Sequence, residues 1–375
     1  MLRLRSTLES IFLTVVAVAW CEWGYYHYVS IIYCGDWPGF SEGHPNGDKY
    51  TKILVVADTH VMGPIKSYWI DKTRREWEMK QTFRVSTSLL QPDVIMFIGD
   101  LLDEGHFSRD VTFSRACEDF ESIFQVDQKK YERVILPGNH DVGFHDRMTD
   151  FDYPLRRFLQ RFRSFPYIER LEQTNTKSLN LIVVNSMMFY NDSCPFCSMA
   201  IKEAAALGRR LDQERNSTPG KSFARPIMFK HIPLYRKDDL SSCKHPPWKE
   251  EKVKKLNVQG LDVLHKGATS YLLDRIKPRL VISGHTHMEC HTRHKVGSED
   301  LLTDIKGPDD TSNFAHEITV SSYNHKFAEI RPGYLLLSVN STHYYAKHCD
   351  MIDEWVVALI YLIVLCIVII KHLTH

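Results

Sequence analysis

The chain has 375 residues, a formal net charge of +1 and 43% hydrophobic residues. That length suits one large domain or two small ones. A balance so close to neutral offers no basic surface for nucleic acid, so no nucleic-acid partner is expected, and no internal repeat or low-complexity tract points to a solenoid or a disordered chain.

In chain order, the first feature is an apolar segment at residues 11–33, preceded by Arg3 and Arg5 and followed by Asp36. A cleaved signal peptide is the alternative reading. The segment's length, its Trp and Tyr content and the lack of a small-x-small cleavage site argue for an uncleaved anchor. Glu22 lies inside it, and the sequence identifies no partner for this intramembrane acid. Short β-branched-rich runs then read as buried strands at 52–57, 94–98, 134–136, 179–184, 226–229 and 280–283, with late strands at 318–321 and 334–338. Helix-like stretches separate them at 82–90, 108–124, 155–162, 199–214 and 269–276. This alternation predicts an α/β core. Two stretches break the pattern: 237–266, rich in Lys, Asp and Pro, and the Pro/Gly-containing 297–313. Both are expected as surface excursions, either shaping a substrate pocket or serving only as solvated loops.

A second apolar segment, residues 355–370, holds no charged residue and is followed by Lys371 and His372. Sixteen helical residues span roughly 24 Å, which is short for a typical bilayer. Snorkelling by Lys371 and a thin early-secretory membrane would absorb the difference. A buried core helix or a removable lipid-anchor signal is the alternative, but the basic end favours stop-transfer. Basic residues on the outer side of both segments place both termini in the cytosol and the middle in a lumen or outside the cell. The expected layout is a cytosolic stretch 1–10, spans at 11–33 and 351–370, a lumenal domain 34–350 and a cytosolic tail 371–375. Three glycosylation sequons, at Asn191, Asn216 and Asn340, fall in the lumenal part. So do seven of the nine cysteines: Cys34, Cys117, Cys194, Cys197, Cys243, Cys290 and Cys349. An oxidising lumen permits disulfides. Seven is odd, so at least one thiol stays unpaired or pairs between chains. Cys194-Pro195-Phe196-Cys197 reads as a local disulfide in a loop rather than a redox or zinc motif, since no second such pair exists.

The chemistry-bearing residues are Asp58 and His60 in Asp58-Thr59-His60, Asp100 after Gly99, Asn139 in Gly138-Asn139-His140-Asp141, His231 after Lys230, and His285 and His287 in Gly284-His285-Thr286-His287. Nearly every group directly follows a short apolar run. Hard oxygens and borderline imidazoles delivered from several strand ends are what a pair of divalent metals needs. Such a pair activates water and clamps a phosphoryl group. Strand C-termini are also where open α/β sheets gather their ligands. Asp100 is the bridging candidate, because its two oxygens reach two metals and Gly99 lets the backbone approach closely. His285 and His287, at alternate positions of an extended segment, are expected to project to one side. A lone His at the end of an apolar strand is more often structural, and nineteen His residues leave room for coincidence. The joint pattern, with Gly nearby in three cases, is far more specific than any member.

These motifs resemble the signature of the calcineurin-like metallophosphoesterase superfamily, over roughly residues 52–338. The resemblance implies a four-layer fold in which two central β-sheets are sandwiched by helices. It implies Asp58, His60, Asp100 and His287 around one metal, and Asp100, Asn139, His231 and His285 around the other, with activated water attacking phosphorus in line. His140 would then be the general acid or a cation beside the scissile bond, with Asp103 orienting it; a purely supporting role for His140 is the alternative. Manganese is the metal the resemblance favours, with zinc or iron as alternatives. Phosphoprotein phosphatases of the superfamily carry Arg where this chain has Glu104. Arg reads a phosphate dianion bidentately and Glu would repel it, so a phosphodiester or an ester bearing an amine is expected, with Glu104 facing that amine.

Anchors at both ends, together with Lys230-His231-Ile232-Pro233-Leu234-Tyr235-Arg236, narrow the resemblance to the membrane-anchored branch that remodels glycosylphosphatidylinositol (GPI) anchors. That implies removal of an ethanolamine-phosphate side branch from the second mannose. It further implies GPI-anchored proteins as substrate and cargo, contact with endoplasmic reticulum exit machinery, and residence in exit sites, the intermediate compartment and cis-Golgi. The tail Lys371-His372-Leu373-Thr374-His375 is not a dilysine retrieval signal. Two other readings stand beside this one: a hydrolase of the same chemistry acting on nucleotides or phospholipid headgroups, and a non-catalytic cargo receptor stabilised by its metals.

Overall fold

A computed structural model describes residues 2–39, 50–65, 67–144, 152–171, 179–189, 195–217, 223–296, 313–328 and 330–374. The chain opens with helix α1 (Leu2–Ala19), a single π turn (Trp20–Gly24) and helix α2 (Tyr25–Cys34). The core then alternates: β1 (Thr51–Val56), α3 (Trp69–Leu90), β2 (Val94–Ile98), α4 (Asp110–Ile123), β3 (Glu132–Leu136), the single-turn α5 (Asn139–Val142) and α6 (Asp152–Phe162). It continues through β4 (Ile168–Arg170), β5 (Leu181–Val184), α7 (Pro195–Ser217), β6 (Ile227–Lys230), the short α8 (Glu250–Val253), α9 (Lys266–Ile276) and β7 (Leu280–Ser283). The last elements are β8 (Cys290–Lys295), β9 (Phe314–Thr319), β10 (Gly333–Val339), β11 (Tyr344–Asp350) and α10 (Glu354–Leu373).

Two sheets form the centre, in the orders β11-β10-β1-β2-β3 and β4-β5-β6-β7-β9-β8. Strands β1, β2 and β3 run parallel, as do β5, β6, β7 and β9, while β10, β11, β4 and β8 pair antiparallel with their neighbours. Side-chain alternation explains the packing. Ile53, Val55, Val94, Met96 and Ile98 face Leu181, Val183, Ile227, Phe229, Leu280 and Ile282 between the sheets. The intervening Leu54, Val56, Ile95 and Phe97 meet Met79 and Phe83 of α3 and Phe113 and Phe120 of α4. On the other sheet, Ile182, Met228 and Val281 belong to the apolar layer that includes Ala200, Ala204 and Leu211 of α7 and Leu272 of α9. Both faces of each sheet are thus covered, which is why the parallel strands read as continuous apolar runs. The expected four-layer α/β sandwich is the observed one.

Three expectations change. Helix α3 begins at Trp69, well before the expected start at 82, because its charged first half is satisfied by ion pairs. Arg74 meets Glu22 at 2.8 Å and Glu78 at 2.8 Å, and Arg75 meets Glu354 at 2.6 Å. Glu22 therefore has partners, including the Tyr361 hydroxyl, which donates to it at 2.6 Å. The second apolar helix extends past the apolar stretch 355–370: α10 has 20 residues, about 30 Å at the helical rise, and takes in Glu354 at its start and Lys371 and His372 at its end.

Two helical segments, Arg5–Cys34 and Glu354–Leu373, are long and apolar enough to cross a membrane. They pack antiparallel, since Glu9 meets Lys371 at 3.0 Å and Glu22 meets Tyr361. The Cys34–Cys349 disulfide ties the end of α2 to β11. A second disulfide, Cys243–Cys290, pins the 237–266 excursion to the start of β8. Cys197 is also disulfide-bonded; Cys194 lies outside the described residues, and Cys117 is a buried free thiol. Of the sequons, Asn191 lies outside the described residues and Asn216 ends exposed on α7. Asn340 is 8% exposed, and its side-chain carbonyl accepts from the backbone N–H groups of Thr342 and His343. That sequon serves as a turn. The second expected excursion, residues 297–313, lies almost entirely outside the described residues.

Candidate metal centre

Every candidate sits at the C-terminal end of a parallel strand: Asp58 and His60 after β1, Asp100 after β2, Asn139 after β3, His231 after β6, and His285 and His287 after β7. The chain turns sharply there. Asp58, His60, Asp100, His285 and His287 all have positive φ, from 41° to 73°, and they make up five of the eight such non-glycine residues among those described. A left-handed backbone at a bulky residue costs energy and persists only where surrounding structure enforces it. Here the enforcement is visible. Asp58 N–H donates to the Gly99 carbonyl and His60 N–H to the Asp100 carbonyl, at 3.1 and 2.9 Å. Both Asp58 carboxylate oxygens accept from His285 N–H, at 2.9 and 3.1 Å. A Cβ at position 138 would stand 2.2 Å from Asp100 Oδ1 and 2.8 Å from His231 Nε2, so only glycine lets the strands' ends close this tightly.

The seven candidates fall into two groups that share Asp100. Asp58, His60, Asp100 and His287 present ligand atoms all within 4.8 Å of one another, and so do Asp100, His231 and His285. Asn139 joins the second group, its Oδ1 3.1 Å from His231 Nε2. His285 and His287 are expected on one side of an extended segment, but both have left-handed backbone instead. The left-handed turns send one ring to each group. Tautomers follow from the outer contacts. His231 Nδ1–H donates to the Ile98 carbonyl at 3.0 Å, leaving Nε2 toward Asp100. His285 Nε2–H donates to the Leu261 carbonyl at 2.7 Å, leaving a buried Nδ1 with no hydrogen-bond partner.

Burial pushes His285 down to about 3, and His287 well below the usual imidazole range, so both rings are neutral bases. Burial also lowers His60. For Asp100, burial would raise the acid, but the facing His231 and His140 outweigh it and hold the carboxylate well below its usual range. Burial and the Asp100 charge lift Asp58 up to about 7, the His231 charge notwithstanding. An orphaned imidazole nitrogen, the uncharged rings of His60, His285 and His287, and the one carboxylate shared between the groups fit two divalent cations.

His140 stands apart. Its backbone N–H donates to Asp100 Oδ1 at 2.7 Å, and its Nδ1 donates to the Asp103 carbonyl at 2.9 Å with Asp103 Oδ1 at 3.2 Å. Burial would depress the ring, but Asp100 and Asp103 together hold it up at about 9. Asp103 Oδ1 is also 3.6 Å from His60 Nδ1, so one carboxylate orients two imidazoles. Glu104 takes a different place from the expected one. It is 3% exposed, it accepts from Ile65 N–H at 3.0 Å, and it packs against Gly63, where any Cβ would strike it. It holds the loop after His60 and does not open onto the cleft toward an amine.

Several supports were missed from sequence. Asp141 accepts from the N–H groups of Leu101, Leu102 and Gly138, clamping the Asp100 turn to the Asn139 turn. After β9, Ser322 donates to the Asp58 carbonyl and Asn324 to the carbonyls of Thr59 and His60. Phe327 stacks on the His60 ring at 4.2 Å. The signal was present, since polar residues follow closely after a strand there, as they do at the ligands. Behind His231 lies a wholly buried network: Lys230 meets Glu317 at 3.0 Å, and Glu317 meets His294 at 3.0 Å.

Comparison with known proteins agrees with this geometry. Residues 51–289 match the family model described as calcineurin-like phosphoesterase. The chain is 32% identical to "Metallophosphoesterase 1" of Ailuropoda melanoleuca over 97% of its own length and 88% of that protein's. It is 35% identical to "Metallophosphoesterase 1" of Cricetulus griseus over 77% and 74%, and 29% identical to "Metallophosphoesterase 1 homolog" of Drosophila melanogaster over 86% and 82%.

Proposed function

Because this chain belongs to the calcineurin-like phosphoesterases and is a metal-dependent phosphoester hydrolase, we propose that it removes the ethanolamine-phosphate side branch from the second mannose of GPI anchors and so promotes export of GPI-anchored proteins toward the Golgi. The observation that carries the hydrolytic part is the pair of ligand groups sharing Asp100, with His140 held beside them. In this reading Asp58, His60, Asp100 and His287 hold one cation, and Asp100, Asn139, His231 and His285 the other. Manganese is the first choice, zinc or iron the alternatives. Bound there, the pair supplies Lewis-acid polarisation of a phosphoryl oxygen and activation of water. The protein's own part is positional. Asp103 fixes the His140 ring through Nδ1, which leaves Nε2–H as the proton donor to the departing sugar oxygen. Asp141 and the Asn324 loop hold the ligand turns in their strained conformation.

Substrate and compartment rest on likeness and layout. The two apolar helices pack antiparallel, which leaves both termini at one end and the domain at the other. That arrangement would keep the site beside lipid-anchored cargo. Two disulfides among the described residues favour an oxidising lumen. Cells lacking their own enzyme, given this chain or Asp100→Asn, test the reading through mass spectrometry of the GPI glycan. The branch should vanish with the wild type and persist with the variant. A well-expressed, correctly located wild type that leaves the branch intact would refute the substrate.

A further inference from the structure

A groove of about 760 Å³ runs from His287 to both apolar helices. At one end it is lined by His287 and Met288; at the other by Tyr25, Val29 and Tyr33 of α2 and Val356 of α10. Arg331 and Lys347 line its wall between these ends. From this continuity we propose that the groove is a lipid-side subsite. It receives the phosphoinositol portion of a membrane-anchored glycolipid, so that the substrate enters laterally from the bilayer. The inference rests on the proposed GPI reading and says where that substrate lies.

Three features make the groove suited to that occupant. Its far wall is membrane-span surface, with Tyr33 60% and Val356 38% exposed, and tyrosines favour the depth of lipid headgroups. The Cys34–Cys349 disulfide fixes α2 against the strand that carries Lys347 and His348, so wall and span keep one geometry. Both cations and acids line the groove. Arg331 lies 3.4 Å from Asp350, an exposed and loose pair, and Lys244 lies 2.6 Å from Glu289. A phosphate can draw Arg331 and Lys347 to itself, while the carboxylates suit sugar hydroxyls and an amine. A second groove, of about 630 Å³, shares His287 and Met288 with the first and opens past the exposed Trp248 and Leu256. A linear glycan can thus lie across the metal centre, with its lipid end in the first groove and its protein end in the second.

The test uses full-length protein in phosphatidylcholine liposomes. Two probes are compared: soluble bis(p-nitrophenyl) phosphate, and a GPI lipid bearing ethanolamine phosphate on its second mannose. Val356→Trp fills the groove and Arg331→Glu/Lys347→Glu reverses its charge. Each should leave hydrolysis of the soluble diester within about twofold of wild type and cut kcat/KM on the lipid probe by about tenfold or more, the charge pair mainly through KM. Wild-type rates on both probes in both variants would overturn the subsite alone. Parallel loss of both activities in both variants would overturn it too, since the groove would then serve the metal centre rather than the lipid. A wild type that cleaves the soluble diester but not the lipid probe would overturn the GPI reading and this inference together.

Discussion

The Nε2 atoms of His60 and His287 lie 3.1 Å apart, although one residue comes from the first sheet and the other from the second. Burial keeps both rings uncharged, and Asp103 beside His60 Nδ1 favours the proton there. The His60 lone pair therefore faces the other ring beside Asp58 and Asp100. Such a convergence is unfavourable unless a cation draws on it, and the carboxylate behind His60 raises its basicity as a ligand. The neighbouring group likewise brings His231 and His285 onto Asp100, with Asp100 holding the His231 ring up at about 9 against the effect of burial.

Protonated His140 is the active form in this account, so the sign of the pH effect is fixed. With the ring held up at about 9, activity stays level through neutral pH and falls as pH rises past about 9. His140→Ala should lower kcat by roughly 10²–10⁴ on an alkyl diester, lose much less on a p-nitrophenyl diester whose leaving group needs no proton, and lack the alkaline limb. Equal losses on both substrates would leave His140 with a supporting role only.

Asn324 donates to the carbonyls of Thr59 and His60, which sit in the left-handed turn. Asn324→Ala should weaken metal affinity by roughly 10–100-fold without unfolding the sandwich. Chelator competition reads this directly. Unchanged affinity would mean the turn holds itself.

The Cys243–Cys290 disulfide closes a stretch with a sequence separation of 47 and helps hold the excursion whose Leu261 carbonyl orients His285. Loop-closure entropy for such a span is about 4 kcal/mol in the chain-entropy model. Cys243→Ser/Cys290→Ser should lower Tm and loosen the cation at the His231–His285 group first. A Tm equal to wild type would show that the excursion is held by other contacts.

Glu317 faces Lys230 in a wholly buried pair, one position before His231. Glu317→Gln leaves a buried cation without its counter-charge and should destabilise by about 3 kcal/mol or more. Denaturant titration measures it, and a change under about 1 kcal/mol would mean that Lys230 is neutral in the fold.

What the sequence showed best was the pattern of apolar run followed by metal-type ligand, because parallel strands buried on both faces are continuous in sequence and end abruptly. It showed least where stabilisation comes from distant partners. The first half of α3 looks like solvent-facing charge until Glu22 and Glu354 arrive from the two apolar helices. Edge strands β4, β8 and β11 are short or polar and gain their form only from a neighbour's ladder. Glu104 is expected to face a substrate amine because it stands where related phosphatases carry Arg; its carboxylate turns inward to Ile65 N–H, a contact across the β1 turn that spacing alone does not reveal.

The most direct test of the central claim is metal content measured together with phosphodiester hydrolysis, for wild type and Asp100→Asn purified in detergent with divalent metal supplied. The account predicts two metals per chain and turnover for wild type, with both metals weakened and turnover lost by about 10³-fold or more when the shared carboxylate is neutralised. Wild-type protein holding one metal or none and cleaving no diester, or Asp100→Asn keeping both metals and full activity, would contradict it.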